Sequence, residues 1–283
     1  MIALCDVYKG IGKFRLDGIS ITIPEGYICG LVGKNGSGKT SLINLILGLY
    51  TPDSGELTID GYKYVDNEKN IRANLAVVLT EELFVSGYSL IKNAATYGAF
   101  YEGFDMEQYL KLLGEFRLSQ EDKFSQLSKG QKLKAQFAFA LSCNTKYLIL
   151  DEPAANFDVE FRRQFFDKIQ RYIYNGRNSV ILATHMTEDL DKIGDFVIYM
   201  DSGRVVFSGN MESFREKYRV VSGEKYKIML LKKDDVINIE EGKYGCKALV
   251  YHNKGTKYDR ELTVTRPSIE EFMQYYRGRE EKI

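Results

Sequence analysis

The chain has 283 residues, 44% hydrophobic and 28% charged, which suits one large folded core or a core with a smaller companion. Lysine plus arginine and aspartate plus glutamate both count 39, so no bulk charge draws the chain toward nucleic acid or anionic lipid. The four cysteines (Cys5, Cys29, Cys143, Cys246) lack metal-ligand spacing and, with no secretory leader in view, read as free thiols of a reducing compartment.

In chain order, "ISITIPEGYICGLVG" (19–33) alternates around a Pro-Glu-Gly turn and becomes a short apolar run, a surface strand leading into a buried one. "TSLINLILGLY" has helical spacing, and "TPDSGELTIDG" brackets another strand with Pro and Gly. From about 90 to 140 the pattern is mostly helical. "KYLILDEP" and "NSVILATH" read as buried strands on either side of an amphipathic helix from Val159 to Tyr174. Strands alternating with helices imply a largely parallel sheet covered on both faces. After about 210 the texture changes to short, charged strand candidates ending in a helical "SIEEFMQYY". No run of about eighteen apolar residues reads as a bilayer-spanning helix.

"GKNGSGKT" (33–40) follows an apolar strand and opens an apolar-periodic helix, the context of a phosphate-binding loop. Gly33, Gly36 and Gly38 let the backbone curl so that its amides, with those of Asn35, Ser37 and Ser41, face phosphate oxygens at a helix N-terminus. Lys39 is placed to reach the β- and γ-phosphates and the Thr40 hydroxyl to take a magnesium position. A glycine-rich turn ahead of a core helix is the plainer alternative. The lysine, the hydroxyl and both flanks argue for a nucleoside triphosphate.

In "YLILDEP", Asp151 ends a buried strand, where open α/β sheets place ligand-contacting groups. It suits a magnesium-holding carboxylate, with Glu152 next to it to orient or deprotonate a water. "QLSKGQK" puts Ser128, Gly130 and Gln131 at a helix start, which by itself is no more than a cap.

Phosphate loop, "LSKGQ", "LILDEP" and "ATH" occur here in one order, and residues 1 to about 210 resemble the nucleotide-binding subunit of ATP-binding cassette (ABC) transporters. The resemblance implies an α/β P-loop NTPase core with a largely parallel sheet, an antiparallel β subdomain and an α-helical subdomain over about 85–145. Residues 211–283 add a small C-terminal α+β accessory unit. It implies ATP and Mg2+, and two cassettes, identical or different, that sandwich ATP so that Ser128, Gly130 and Gln131 serve the partner's phosphates. Glu152 and His185 are then catalytic, and Thr40, Asp151 and either Thr80 or Glu81 are near the metal. "ANFD" (155–158) matches the loop that couples the two sites, with Phe157 where leucine is usual. Ile11 falls where the family stacks an aromatic on adenine, with Tyr8 and Phe14 nearby, and Lys129 replaces a commoner glycine.

"RPSIEEFMQYY" (266–276) resembles the ending of bacterial exporter cassettes of the bacitracin, lantibiotic and peptide-export kind, which pair with separate integral-membrane permeases. That implies a cytoplasmic location, peripheral on the inner face of the membrane, and a peptide, antibiotic or other amphipathic cargo. Soluble cassette ATPases of translation carry two motif sets, whereas this chain has one. Those of DNA repair insert a coiled coil that is not seen between Thr40 and Ser128. With the even charge balance, no nucleic-acid partner is expected. His252 carries no assignment.

Overall fold

The computed structural model describes residues 1–79, 81–153, 157–242 and 245–276. Its centre is a six-stranded sheet in the order β5-β6-β7-β3-β8-β9. The strands are β3 (Ile28–Val32), β5 (Leu75–Val78), β6 (Tyr147–Asp151), β7 (Ser179–Ala183), β8 (Phe196–Asp201) and β9 (Arg204–Asn210). All neighbours run parallel except β8 and β9. Strands β3, β6 and β7 are buried at every position, as expected of strands covered on both faces. Against this sheet pack α1 (Lys39–Ile46), α6 (Val159–Ile173) and α7 (Thr187–Ile193). Helix α6 buries only Phe161, Phe165 and Ile169, a single stripe at helical spacing.

A second, antiparallel sheet, β2-β1-β4, is formed by β1 (Ile2–Ile11), β2 (Phe14–Ile23) and β4 (Ser54–Ile59). Its apolar face shares one core with α1 and the central sheet, where Ile2, Leu16, Leu42 and Ile198 meet. The helical layer contains α3 (Leu90–Gly98), α4 (Met106–Glu115) and α5 (Lys129–Ser142). Aromatics dominate its packing, with Phe139 in ring contact with Phe84, Tyr101, Phe104 and Tyr109. A short, polar α2 (Tyr64–Ala73), which buries only Ile71, leads into β5. Strands β1, β5, β8 and β9 were not singled out in the sequence. β5 is only four residues long, and its apolar character merges with the loop that follows.

Beyond β9 come α8 (Met211–Lys217), β10 (Tyr218–Gly223), α9 (Lys225–Ile228), β11 (Val236–Gly242), β12 (Gly245–Tyr251), β13 (Thr263–Thr265) and α10 (Ile269–Tyr275). The strands form a third sheet, β11-β12-β10-β13, with a small core of its own around Val221, Ile228, Ala248 and Val250. The expected α/β core with antiparallel and helical additions and a C-terminal α+β unit is therefore present. Packing does not stop at residue 210, however. Phe214, Tyr218 and Phe272 belong to the main core, and the Phe272 ring stands edge-on to Tyr199 of β8 at 5.1 Å.

Because Phe272 is fully buried in that shared core, Phe272→Ala is expected to lower the stability of the whole chain by about 3–5 kcal/mol. Chemical denaturation should show the loss in a single transition. An early, separate transition of the C-terminal unit would contradict the shared core.

Candidate functional site: a phosphate loop and its acidic strand end

The loop from Gly33 to Thr40 joins β3 to α1. Gly33 lies so close to β8 that an added Cβ would stand 2.4 Å from the Met200 carbonyl oxygen and 2.5 Å from Ser37 Oγ. Gly38 has φ 109°, and its missing side chain leaves room for Phe14 and Leu16. No larger residue fits either place. Asn35 and Gly36 form the exposed tip, Ser37 is buried, and Ser41 is half-buried on α1. Gly38 offers no side-chain cap to α1, so the first-turn amides remain available to an anion.

Lys39 turns inward and is buried. Its Nζ donates to the carbonyls of Gly33 at 2.9 Å and Lys34 at 3.3 Å, and lies 3.9 Å from Glu152 Oε1. Burial draws the ammonium below the usual lysine range, and the charges of Glu152 and Asp151 oppose that. The Thr40 hydroxyl donates to Asp151 Oδ2 at 3.0 Å. Burial pushes the Asp151 carboxyl up, the Thr40 bond pulls it down, and the charges of Glu152 and Glu81 add to the rise.

Glu152 has φ 50° and donates its N–H to the Ala183 carbonyl at the end of β7. Its Oε2 lies 2.7 Å from His185 Nδ1, and the His185 backbone N–H donates to the same oxygen at 3.3 Å. An ionised carboxylate only accepts, so Nδ1 carries the proton. The ends of β3, β6 and β7 thus bring Lys39, Thr40, Asp151, Glu152 and His185 into one cluster.

Among the described residues, Ser37 Oγ of the loop and Asp151 Oδ1 of the cluster are buried with no hydrogen-bond partner. Orphaned oxygens of this kind are costly unless a ligand satisfies them. With a raised carboxyl and an adjacent hydroxyl, Asp151 and Thr40 fit a hard divalent cation such as Mg2+. Among the described residues no three His, Cys, Asp or Glu side chains converge on a metal position.

Glu81 is exposed on the loop after β5; its carbonyl accepts from Gln136 Nε2 of α5 at 3.4 Å. Thr80 lies outside the described residues, as do Ala155 and Asn156 of the coupling loop. Phe157 packs on Phe161 at 4.6 Å, and Asp158 caps α6 by accepting from Phe161 N–H at 2.8 Å while Lys134 of α5 donates to its other oxygen. Ile11 ends β1, half-buried and paired with Phe14 across the hairpin. It is the Phe14 ring that reaches the phosphate loop, next to Gly38.

Ser128 caps α5 in a reciprocal box with Gln131, and Gly130 is half-buried beside them. Among the described residues, no hydrogen bond or ion pair joins this turn to the phosphate loop. Three polar links were not apparent in the sequence, because each joins distant segments: Arg162 to Asp189, Lys134 to Asp158 and Gln136 to Glu81.

Residues 16–155 match the family described as ABC transporter. The chain is 29% identical over 214 residues to a Nod factor export ATP-binding protein of Rhizobium meliloti, covering 74% of this chain and 64% of that one. It is 28% identical over 221 residues to a molybdenum import ATP-binding protein of Mannheimia succiniciproducens, covering 75% and 61%. The chain thus spans less than two thirds of the length of both relatives. An ATP-binding cassette solved as a dimer with ADP and Pi shares the fold, with a TM-score of 0.66 at 23% identity over 75% of this chain and 99% of that one.

Removing the Asp151 charge separates its two effects. A carboxyl whose folded-state pKa lies above its unfolded value stabilises the fold when protonated, and that stability is lost as pH rises through the folded pKa. Asp151→Asn is therefore expected to raise the Tm of the nucleotide-free protein at neutral pH by about 2–4 °C, or roughly 1 kcal/mol. The same variant should lose most of the Tm gain that Mg-ATP gives the parent. Differential scanning calorimetry with and without Mg-ATP reads both.

Proposed function

We propose that this chain, whose residues 16–155 match the ABC transporter family, binds and hydrolyses ATP as the nucleotide-binding subunit of a transporter whose membrane-spanning part is another polypeptide. The observation that carries this reading is the cluster at the ends of β3, β6 and β7, where a buried lysine stands 3.9 Å from a glutamate that is itself held by a histidine.

Each side chain then has a task. The Lys39 ammonium, now bonded to two backbone carbonyls, exchanges them for β- and γ-phosphate oxygens. The amides of 34–41 and the positive end of α1 bind the rest of the triphosphate. Thr40 and Asp151 would hold the magnesium ion, with Glu81 close enough for its charge to act; bound there, the ion neutralises phosphate charge. Glu152 orients the attacking water and accepts its proton, and His185 keeps that carboxylate aimed and adds a hydrogen bond near the γ-phosphate. Catalysis of this kind needs positioning and charge, and the cluster supplies both.

One cassette is incomplete. Ser128, Gly130 and Gln131 have no bond to their own phosphate loop and Ser128 is exposed, which supports their serving a second cassette, identical or different. Among the described residues no helix is long and apolar enough to cross a membrane. An apolar groove of about 860 Å³ between β5 and the helical layer, lined by Leu49, Phe84, Phe100, Gln136 and Phe139, offers a separate permease partner a seat. Phe100 is 74% exposed there. Export of a peptide, antibiotic or amphipathic cargo is supported by the tail resemblance alone, since an export and an import relative match the chain equally well, and the place of work is then the cytoplasmic face of the membrane.

Glu152→Gln should bind ATP as the parent does, reduce turnover at least about 100-fold, and accumulate as an ATP-bound dimer in sedimentation. Lys39→Ala should fail to bind. Normal turnover in Glu152→Gln would remove the glutamate from the reaction. Gentle solubilisation of membranes should recover the chain with a multi-helix membrane protein; recovery with ribosomes instead would replace the transporter reading by the translation one.

A further inference from the structure

The segment carrying His185 is short and is held from two sides. Helix α7 begins two residues after the histidine, and Met186 gives it no side-chain cap. On one side Arg162 of α6 forks onto Asp189, with Nε 2.7 Å from Oδ2. On the other, both carboxylate oxygens of Asp191 accept from the Ile269 N–H, at 3.3 and 3.1 Å. Ile269 is the first residue of α10, so that N–H has no partner within its own helix. Arg215 of α8 closes the corner, donating to the Asp191 carbonyl at 2.9 Å and standing 4.0 Å from its carboxylate.

Helix α10 does not need Asp191 for its own cap. Ser268 and Glu271 already form a reciprocal capping box, and Glu270 adds another acid to the first turn. Asp191 is nonetheless turned inward, 20% exposed, into a corner where two acids repel it. A charge in such surroundings is retained where its bonds hold segments together, because burial alone works against it. The segments held here are α7 and the C-terminal unit.

The same α10 leans on β8, where Phe272 meets Tyr199; the next residue, Met200, backs the phosphate loop at Gly33. One C-terminal helix thus touches the supports of both the histidine and the loop, by separable contacts.

We propose that Asp191 is a positioning residue of the hydrolytic pair: by tying α7 to α10 it holds His185 Nδ1–H on Glu152, so that the C-terminal unit sets how often the pair is assembled. The role in turnover rests on the ATPase reading above. Loss of the carboxylate leaves Arg162 on Asp189 and Arg215 on the Asp191 carbonyl as polar contacts of α7 but unties it from α10, and the Glu152–His185 bond is formed for less of the time. The phosphate loop, backed through Phe272 and Met200, keeps its grip on nucleotide.

Asp191→Ala and Asp191→Asn in the full-length protein test this, with Asn keeping an acceptor for the Ile269 N–H. The chain has two histidines, so imidazole 15N resonances report on His185 directly with His252 as the internal reference. In Asp191→Ala the His185 signals should shift and broaden while those of His252 stay in place, and hydrogen exchange at 185–189 should quicken. The kcat should fall about tenfold with the KM for ATP within about twofold, and Asp191→Asn should recover at least half of the loss. Unmoved His185 signals in the folded Ala variant would overturn the proposal, whatever the turnover. Should the Ala variant not fold, Arg215→Ala removes the second contact of the same corner and must shift His185 in the same direction; unchanged signals there overturn it equally. A parent protein that turns over no ATP would refute the reading of the preceding subsection and leave the resonance test intact.

Discussion

The arrangement depends on burying one ammonium group. Lys39 is 7% exposed at the start of a helix, a place where a lysine survives only if carbonyls and carboxylates come to it. The Gly33 and Lys34 carbonyls do so because the loop curls, and the loop curls because Gly33 presses on Met200 where no Cβ fits. The carboxylates do so because β6 ends level with β3 across one intervening strand. Register in the parallel sheet, four residues long between β3 and β7 and five between β7 and β6, is therefore what sets the charge geometry.

The cluster also carries unspent bonding capacity. Among the described residues Ser37 Oγ and Asp151 Oδ1 are buried and unpartnered, while Lys39 gives its hydrogen bonds to the backbone carbonyls of Gly33 and Lys34. On the function proposed above, a triphosphate with a divalent cation would exchange each of these for a stronger contact. Such binding would relieve costs already built into the fold, a way for a site to be specific for a highly charged ligand.

The C-terminal unit belongs to this economy rather than hanging from it. Phe214, Tyr218 and Phe272 pack into the main core, while β10 to β13 keep a small core of their own. An aromatic seam of this size transmits displacement poorly through soft contacts and well through rigid ones. That places α10 in mechanical contact with β8 and α7, the two elements from which the phosphate loop and the histidine take their positions.

Local chemistry made several features legible in the sequence. The glycine spacing of 33–38, the lysine and hydroxyl behind it, the apolar run ending in Asp151 and the stripe of α6 each depend on neighbours within a turn or a strand. The order of motifs made the family resemblance legible as well. Strands β5 and β8 were not picked out, since a short apolar run becomes a strand only when parallel neighbours pair with it. Nor were the links from Arg162 to Asp189, Lys134 to Asp158 and Asp191 to Ile269, since each joins residues whose separation in the chain says nothing of their distance. The Phe14 ring reaches the phosphate loop beside Gly38 because the hairpin turn directs it there. The sequence by itself determined which groups are available for phosphate and metal chemistry; only the tertiary structure decided which of them meet, because sheet register and core packing, and not spacing along the chain, bring charges to within a few ångströms.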